Sequence, residues 1–208
     1  MQDTVDNVID ELDVDALRAG TWALLGRLLA AAPDDVLRQR LIAVGEDHHG
    51  GDGPPADDAM TRAWAALAEA VHSAEPAALA EEFQDVFIGV GGGQVTPYAS
   101  WYLVGALMDR PLVRLREDLA ALGLERQVDC SEPEDHVAAL CEIMALVIQD
   151  GEVDFDWEQD IFTRYVGSWM LRLFDDIAAA PSAKVYRAVA ALGKAFVEQE
   201  QRFYAMPA

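Results

Sequence analysis

Apolar residues recur along this chain at three- and four-residue spacing, and no stretch alternates convincingly at period two. The pattern predicts helices and no strands. Val14, Leu17, Trp22, Leu25, Leu28 and Leu29 mark one face of a first helix, which Pro33 ends. Val36, Leu37, Leu41 and Val44 predict a short second helix, and Met60, Trp64, Leu67 and Val71 a third. Leu79, Phe83, Val86 and Phe87 lie on a fourth, begun by Pro76 and ended at Gly89. A fifth starts at Pro97, with Leu103 and Leu107 continuing its face. Pro111 opens a sixth that carries Leu115, Leu119 and Leu122. Ser131 with Glu134 three residues later reads as a capping box. It starts a seventh helix near Glu132, whose buried face is Val137, Leu140, Met144 and Val147. Trp157, Ile161, Phe162, Tyr165, Trp169, Leu173 and Ile177 predict one long eighth helix, and Val185, Val189, Leu192, Phe196 and Phe203 a ninth. The expected fold class is all-α, a single-domain bundle of about nine helices over residues 1–208. Its one flexible loop is expected at residues 45–58, where the sequence GEDHHGGDGPPADD has nothing to bury.

Composition narrows the picture. A chain of 208 residues, 52 % hydrophobic, has enough apolar surface for a real core. No run approaches the ~20 uncharged apolar residues of a membrane span, and the acidic first fifteen residues are unlike a secretory leader. A cytoplasmic protein without stable membrane insertion is therefore expected. Cys130 and Cys141 match no zinc spacing and read as reduced, partly buried thiols. A net charge of -22 speaks against nucleic acid as a partner, since phosphate backbones need basic patches. Two origins of the acidity stay open. One is an acidic face that attracts a basic ligand. The other is adaptation of the whole surface to a salt-rich cytoplasm. The second draws on the spread of the acids, on Asp outnumbering Glu, and on lysine occurring only at Lys184 and Lys194.

The chemistry-bearing residues cluster between Phe83 and His136. Gly91, Gly92 and Gly93 form a turn without the Gly-Lys-Ser/Thr ending of a phosphate loop, so it reads as a connector. Tyr98, Trp101 and Tyr102 fall at i, i+3 and i+4 directly after that turn and crowd one helix face. Glu134 is sufficiently explained as a cap. Asp135 and His136 border the apolar face of the seventh helix, and first-turn carboxylates are favoured by the helix dipole whatever their role. On that placement, Asp135→Ala is expected to cost only ~0.3–1 kcal/mol of stability. His48-His49 reads as solvent-exposed, because two adjacent histidines rarely chelate a metal alone. No catalytic set, metal cluster or dinucleotide loop assembles, so neither enzyme chemistry nor a cofactor is expected. A small hydrolase using Asp135, His136 and Glu142 is the weaker alternative.

Three blocks of residues resemble the TorD/DmsD-type chaperones, also called redox enzyme maturation proteins. Phe83, Val86, Phe87 and Gly89 match the family's aromatic-x-x-Leu-Phe-x-Gly, and Pro97, Tyr98, Ser100 and Tyr102 its Pro-Tyr-x-Ser-x-Tyr. Glu132, Pro133, Asp135 and His136 match its Glu-Pro-x-Asp-His. A looser fourth block is Gln159, Phe162 and Trp169, with Tyr165 where the family usually has His. The resemblance implies a cytoplasmic helical chaperone, acting as monomer or homodimer. It would bind the twin-arginine signal peptide and apo form of a molybdopterin oxidoreductase, and so delay export until cofactor insertion. It also implies a peptide-binding role for Asp135, His136, Tyr98, Ser100, Trp101, Tyr102, Phe87 and Glu132. A NarJ-like chaperone, taking the N-terminus of a nitrate reductase, is the alternative within the same group.

The salt-adaptation reading has a direct consequence. Unscreened carboxylates repel at low ionic strength, and at ~1 M salt the screening length falls to about 3 Å. Tm should therefore rise steeply between 0.1 and 2 M KCl. A flat Tm over that range would leave ligand attraction as the surviving explanation of the acidity.

Overall fold

The computed structural model describes residues 2–49, 58–124, 132–150 and 153–206, with side chains described outside 2–13 and 45–49. The described residues contain ten α-helices and one turn of π-helix, and no strand is present among them. The helices are α1 (Gln2–Ala30), α2 (Asp35–His49), α3 (Ala59–Ser73), α4 (Pro76–Phe83) and α5 (Ala99–Val104). They continue as α6 (Arg110–Ala121), α7 (Val137–Gln149), α8 (Phe155–Tyr165), α9 (Met170–Ala179) and α10 (Val185–Tyr204). The all-α expectation holds. Contacts group the chain into two units, each built from two stretches: Met1–Leu29 with Tyr98–Ser168, and Ala30–Pro97 with Trp169–Ala208.

The first unit has α7 at its centre. Val137, Leu140, Cys141, Met144 and Val147 are buried along it, matching the expected face. Trp22 of α1 meets Phe162 of α8 edge-on, with ring centroids 6.3 Å apart. Beside this contact Arg18 pairs with Glu158 at 2.6 Å, both buried, so each charge has its counter-ion inside. That pair displaces the start of the apolar stripe on α1, since Val14 and Leu17 are exposed and burial begins with Arg18 and Ala19. Burial drives the Cys141 thiol pKa well above its ordinary value, which makes it an inert core residue. Cys130 lies outside the described residues.

In the second unit α10 packs on α3, α4 and α9, and α2 packs on α3. On α2 only Leu37 and Leu41 of the expected stripe are buried, while Val36 and Val44 are exposed. The α2 backbone is helical through His49, so residues 45–49 of the expected loop at 45–58 are helix. Residues 50–57 and the side chains of His48 and His49 lie outside the described residues. At the end of α4 the buried Glu82 accepts the backbone N–H groups of Lys184 (2.6 Å) and Tyr186 (2.7 Å). A carboxylate thereby satisfies donors at the start of α10, where the helix dipole also favours negative charge.

The π-turn Gln84–Ile88 follows α4 without a break, and the glycine-rich segment folds back on it. Val95 N–H bonds Val86 O at 2.9 Å, and Gln94 N–H bonds Asp85 O at 3.3 Å. This return requires glycine at two places. Gly89 has φ 51°, and a Cβ there would lie 2.2 Å from Gly92 O. A Cβ on Gly93 would lie 2.4 Å from the Phe87 carbonyl carbon. The Phe83–Gly89 motif and the glycine turn are therefore one device, with the Phe83 and Phe87 rings packed on each other and on Tyr186.

Three helix boundaries differ from the sequence expectation. The predicted long eighth helix is two helices, α8 and α9, interrupted at 166–169. Val166 and Gly167 both donate to Phe162 O, at 3.0 and 2.8 Å, which ends α8. The chain crosses from one unit to the other at 168–169, within this interruption. The apolar spacing stays in phase across it, so periodicity alone could not reveal it. The fifth helix ends at Val104, where Gly105 takes the left-handed conformation, and Leu107 is in the following bend. The seventh begins at Val137 and not near Glu132.

Glu82→Ala should lower stability by about 2–3 kcal/mol, because two buried donors lose a charged acceptor. Glu82→Gln, which keeps one oxygen, should lose distinctly less. Urea unfolding of both variants checks this, and equal losses would show that the bonds to α10 contribute little.

Candidate peptide-docking site

The Glu132–His136 segment clasps the start of α5. Ala99 N–H donates to the backbone oxygen of Asp135 at 2.9 Å, and Ser100 N–H donates to its Oδ2 at 3.1 Å. These are N–H groups of the first turn of α5, which have no partner inside their own helix. Tyr98 and His136 form an isolated antiparallel bridge beside them, with ring centroids 5.0 Å apart in an edge-on contact. Tyr98 Oη donates to Glu132 Oε2 at 2.5 Å. His136 is the N-cap of α7, and its Nδ1 accepts the Ala138 N–H at 3.2 Å. Glu134 binds Arg116 of α6 through Nε and Nη2, at 2.9 and 2.8 Å.

This arrangement corrects the capping-box reading. Glu134 precedes α7 and is taken by Arg116, while Ser131 lies outside the described residues. It also corrects the expected placement of Asp135. The carboxylate is not on a solvated first turn of α7 but is 1 % exposed beneath α5. Its Oδ1 and the Oγ of Ser100 are buried without a hydrogen-bond partner among the described residues. An Asp135→Ala change would therefore cost more than a dipole contact.

Burial lowers the His136 pKa, against the opposing pull of Glu132 and Asp135, so its imidazole is neutral and its Nδ1 is free to accept. For Tyr98, burial first and the bond to Glu132 second drive the phenol pKa well above its ordinary value, keeping it a donor. Tyr98 thereby orients Glu132, which is itself exposed, at the mouth of the clasp.

The sequence-predicted residues fall into two groups. Tyr98, Ser100, Trp101, Tyr102, Glu132, Asp135 and His136 belong to one unit, and all lie on or against α5 and the clasp. Among them Ser100, Asp135 and His136 are buried, while Trp101 and Glu132 are exposed. Phe87 belongs to the other unit, where its ring packs on Phe83 and Tyr186. Leu103 and Leu107, expected to continue the face of the fifth helix, are exposed, and so are Val104 and Met108, which pattern reading had not singled out, the last at 74 %. Gly105, directly after Val104, was the available signal that the helix stops and leaves them unburied. No local signal could have paired Arg116 with Glu134, eighteen residues away.

The weaker hydrolase alternative finds no shared geometry here. Asp135 holds α5, His136 caps α7, and Glu142 is exposed on α7. No group of three metal-ligating side chains occurs among the described residues. No helix among them is long and apolar enough to cross a membrane.

The chain is similar in fold to a protein from Archaeoglobus fulgidus described as a redox enzyme maturation protein. That match has a TM-score of 0.56 at 19 % identity, over 88 % of this chain and 94 % of the other. The nitrate reductase delta subunit family matches residues 54–175, more than half of the sequence, and the chain belongs to that family. It is also 27 % identical over 133 residues to the chaperone protein TorD of Vibrio cholerae serotype O1, in both the classical Ogawa and El Tor Inaba strains. Those alignments cover 59 % of this chain and 60 % of the relatives' length. Together these matches bear out the TorD-type resemblance carried by the motif blocks.

Asp135→Ala should lower stability by about 2–3 kcal/mol, since it leaves the Ser100 N–H buried and unpaired. Asp135→Asn, which retains an oxygen near that N–H, should recover a clear part of the loss. Thermal melts of the two variants decide, and an Asp135→Ala protein as stable as the parent would refute the clasp.

Proposed function

We propose that this protein is a maturation chaperone for a molybdopterin oxidoreductase, binding the twin-arginine signal peptide and apo form of its client and delaying export until the cofactor is inserted. The observation that carries this reading is a run of exposed apolar side chains, Trp101, Leu103, Val104, Leu107 and Met108, adjoining an oriented carboxylate, Glu132. An apolar leader helix would bury its face there, as amphipathic helices do in apolar grooves. Tyr102 adds to the same surface. The guanidinium groups of the leader would meet Glu132 in charge-assisted bonds at the edge. Ser100, Asp135 and His136 act from beneath, by shaping the surface and not by touching peptide. Phe87 supports the reading only through its motif. Such a protein works in the cytoplasm and needs no reaction of its own; moderate affinity lets it release the client.

A second reading is favoured by the family itself, whose description is a nitrate reductase subunit. In it the ligand is the N-terminus of a nitrate reductase, without an arginine pair, held by the same apolar residues.

The test is calorimetry with a twin-arginine leader, its Lys-Lys variant, and the N-terminal segment of a nitrate reductase. The leader should bind, and the Lys-Lys variant should bind several-fold more weakly, because Arg presents a planar fork that Lys lacks. Equal affinity for the first two would remove the carboxylate role. Tighter binding of the nitrate reductase segment would establish the second reading instead.

A further inference from the structure

Cations are scarce in this chain, 15 against 37 acids, yet Arg110, Arg114 and Arg116 fall within seven residues that contain no acid. All three are exposed on α6. Arg116 is held by Glu134. The guanidinium groups of Arg110 and Arg114 make no hydrogen bond or ion pair among the described residues. Val113 between them is 55 % exposed, and Leu107 and Met108 just before them are exposed as well. An apolar strip thus runs into a basic end.

The two ends of that strip carry opposite charge. α5 and α6 pack against each other. Tyr98, at the start of α5, holds Glu132, and Arg116 reaches Glu134 of the same segment, so Arg116 marks the acidic end. Arg110 lies six residues back along α6, about 9 Å at 1.5 Å per residue. It follows the bend that leaves the far end of α5, itself about 9 Å long. Glu132 and Arg110 therefore stand at opposite ends of the apolar surface formed by Trp101, Val104, Leu107 and Met108.

A leader peptide has a matching polarity. Its arginine pair precedes its apolar stretch, and once helical that stretch ends in carbonyl groups that carry the negative end of the helix dipole. On the leader-binding reading given above, we propose that the peptide docks in one direction only. Its arginines lie at Glu132 and the C-terminal end of its apolar helix lies at Arg110, with Arg114 one turn along the same helix. Reversal would bring arginine to arginine and the helix carbonyls to Glu132, both repulsive. Charge complementarity here selects the orientation, while apolar burial supplies most of the affinity.

The experiment uses the full chain and two synthetic twin-arginine leaders, one with a benzophenone before the arginines and one with it after the apolar stretch. Saturable binding is established first by fluorescence anisotropy, and photo-attachment sites are then read by mass spectrometry. The first probe should attach within 98–102 or 132–138, and the second within 107–114. Reversed or indiscriminate attachment with binding intact overturns the direction and leaves the leader-binding reading standing. Absence of saturable binding overturns both. A second measurement addresses the basic end. Two aspartates appended after the apolar stretch should tighten binding about three- to fivefold at 0.1 M salt, the range of exposed ion pairs. That gain should vanish in the Arg110→Glu/Arg114→Glu protein, and its persistence there would overturn the assignment.

Discussion

The surface to which function is assigned depends on one buried carboxylate. Asp135 takes the Ser100 N–H with its side chain and the Ala99 N–H with its backbone oxygen. A helix of six residues cannot hold itself together in water, since nucleation costs more than its few internal bonds return. α5 is held from outside, by Asp135 at its first turn and by packing on α6. Trp101 and Val104 stand on solvent only as long as that grip holds. The same segment orients Glu132 through Tyr98 and ties α6 through Arg116, so one pentapeptide places the apolar strip, its acidic edge and the helix beside it.

A comparable logic runs through the other unit. Glu82 satisfies the start of α10 from the end of α4, and the glycine turn folds onto the π-turn that follows. In both units a carboxylate from a sequence-distant segment closes the N-terminus of a helix. A net charge of -22 disguises these residues among many solvated acids, yet with Glu158 and Glu200 they are the few acids buried among the described residues. The acidity as a whole concerns solvent and partners. Glu82, Asp135 and Glu158 concern the fold.

The contrast between Asp135 and Glu132 matters for how the Glu-Pro-x-Asp-His motif is understood. Both belong to the same motif, but Glu132 is presented to solvent while Asp135 is 1 % exposed. On the leader-binding reading proposed above, changing Glu132 would remove a contact, and changing Asp135 would remove the support of the surface. His136, neutral through burial and occupied as an N-cap, belongs with the support.

Much of this protein was legible in its sequence. The helical period, the prolines at helix starts, and the apolar faces of α3, α7 and α10 follow from local spacing, because burial of one helix face is a local pattern. The three motif blocks, in order, pointed to the family. Other features depended on contacts between residues far apart in sequence. The interruption between α8 and α9 left the apolar phase intact, so spacing could not disclose it. The start of α7 moved from Glu132 to Val137 because His136 is extended and bridged to Tyr98, and the Asp135 carbonyl accepts the Ala99 N–H of α5. Whether a given acid is a solvated charge, a cap or a ligand edge depends on which donors the fold brings to it. One-dimensional pattern records apolar faces well, and it does not record hydrogen-bond partners that only the tertiary structure supplies.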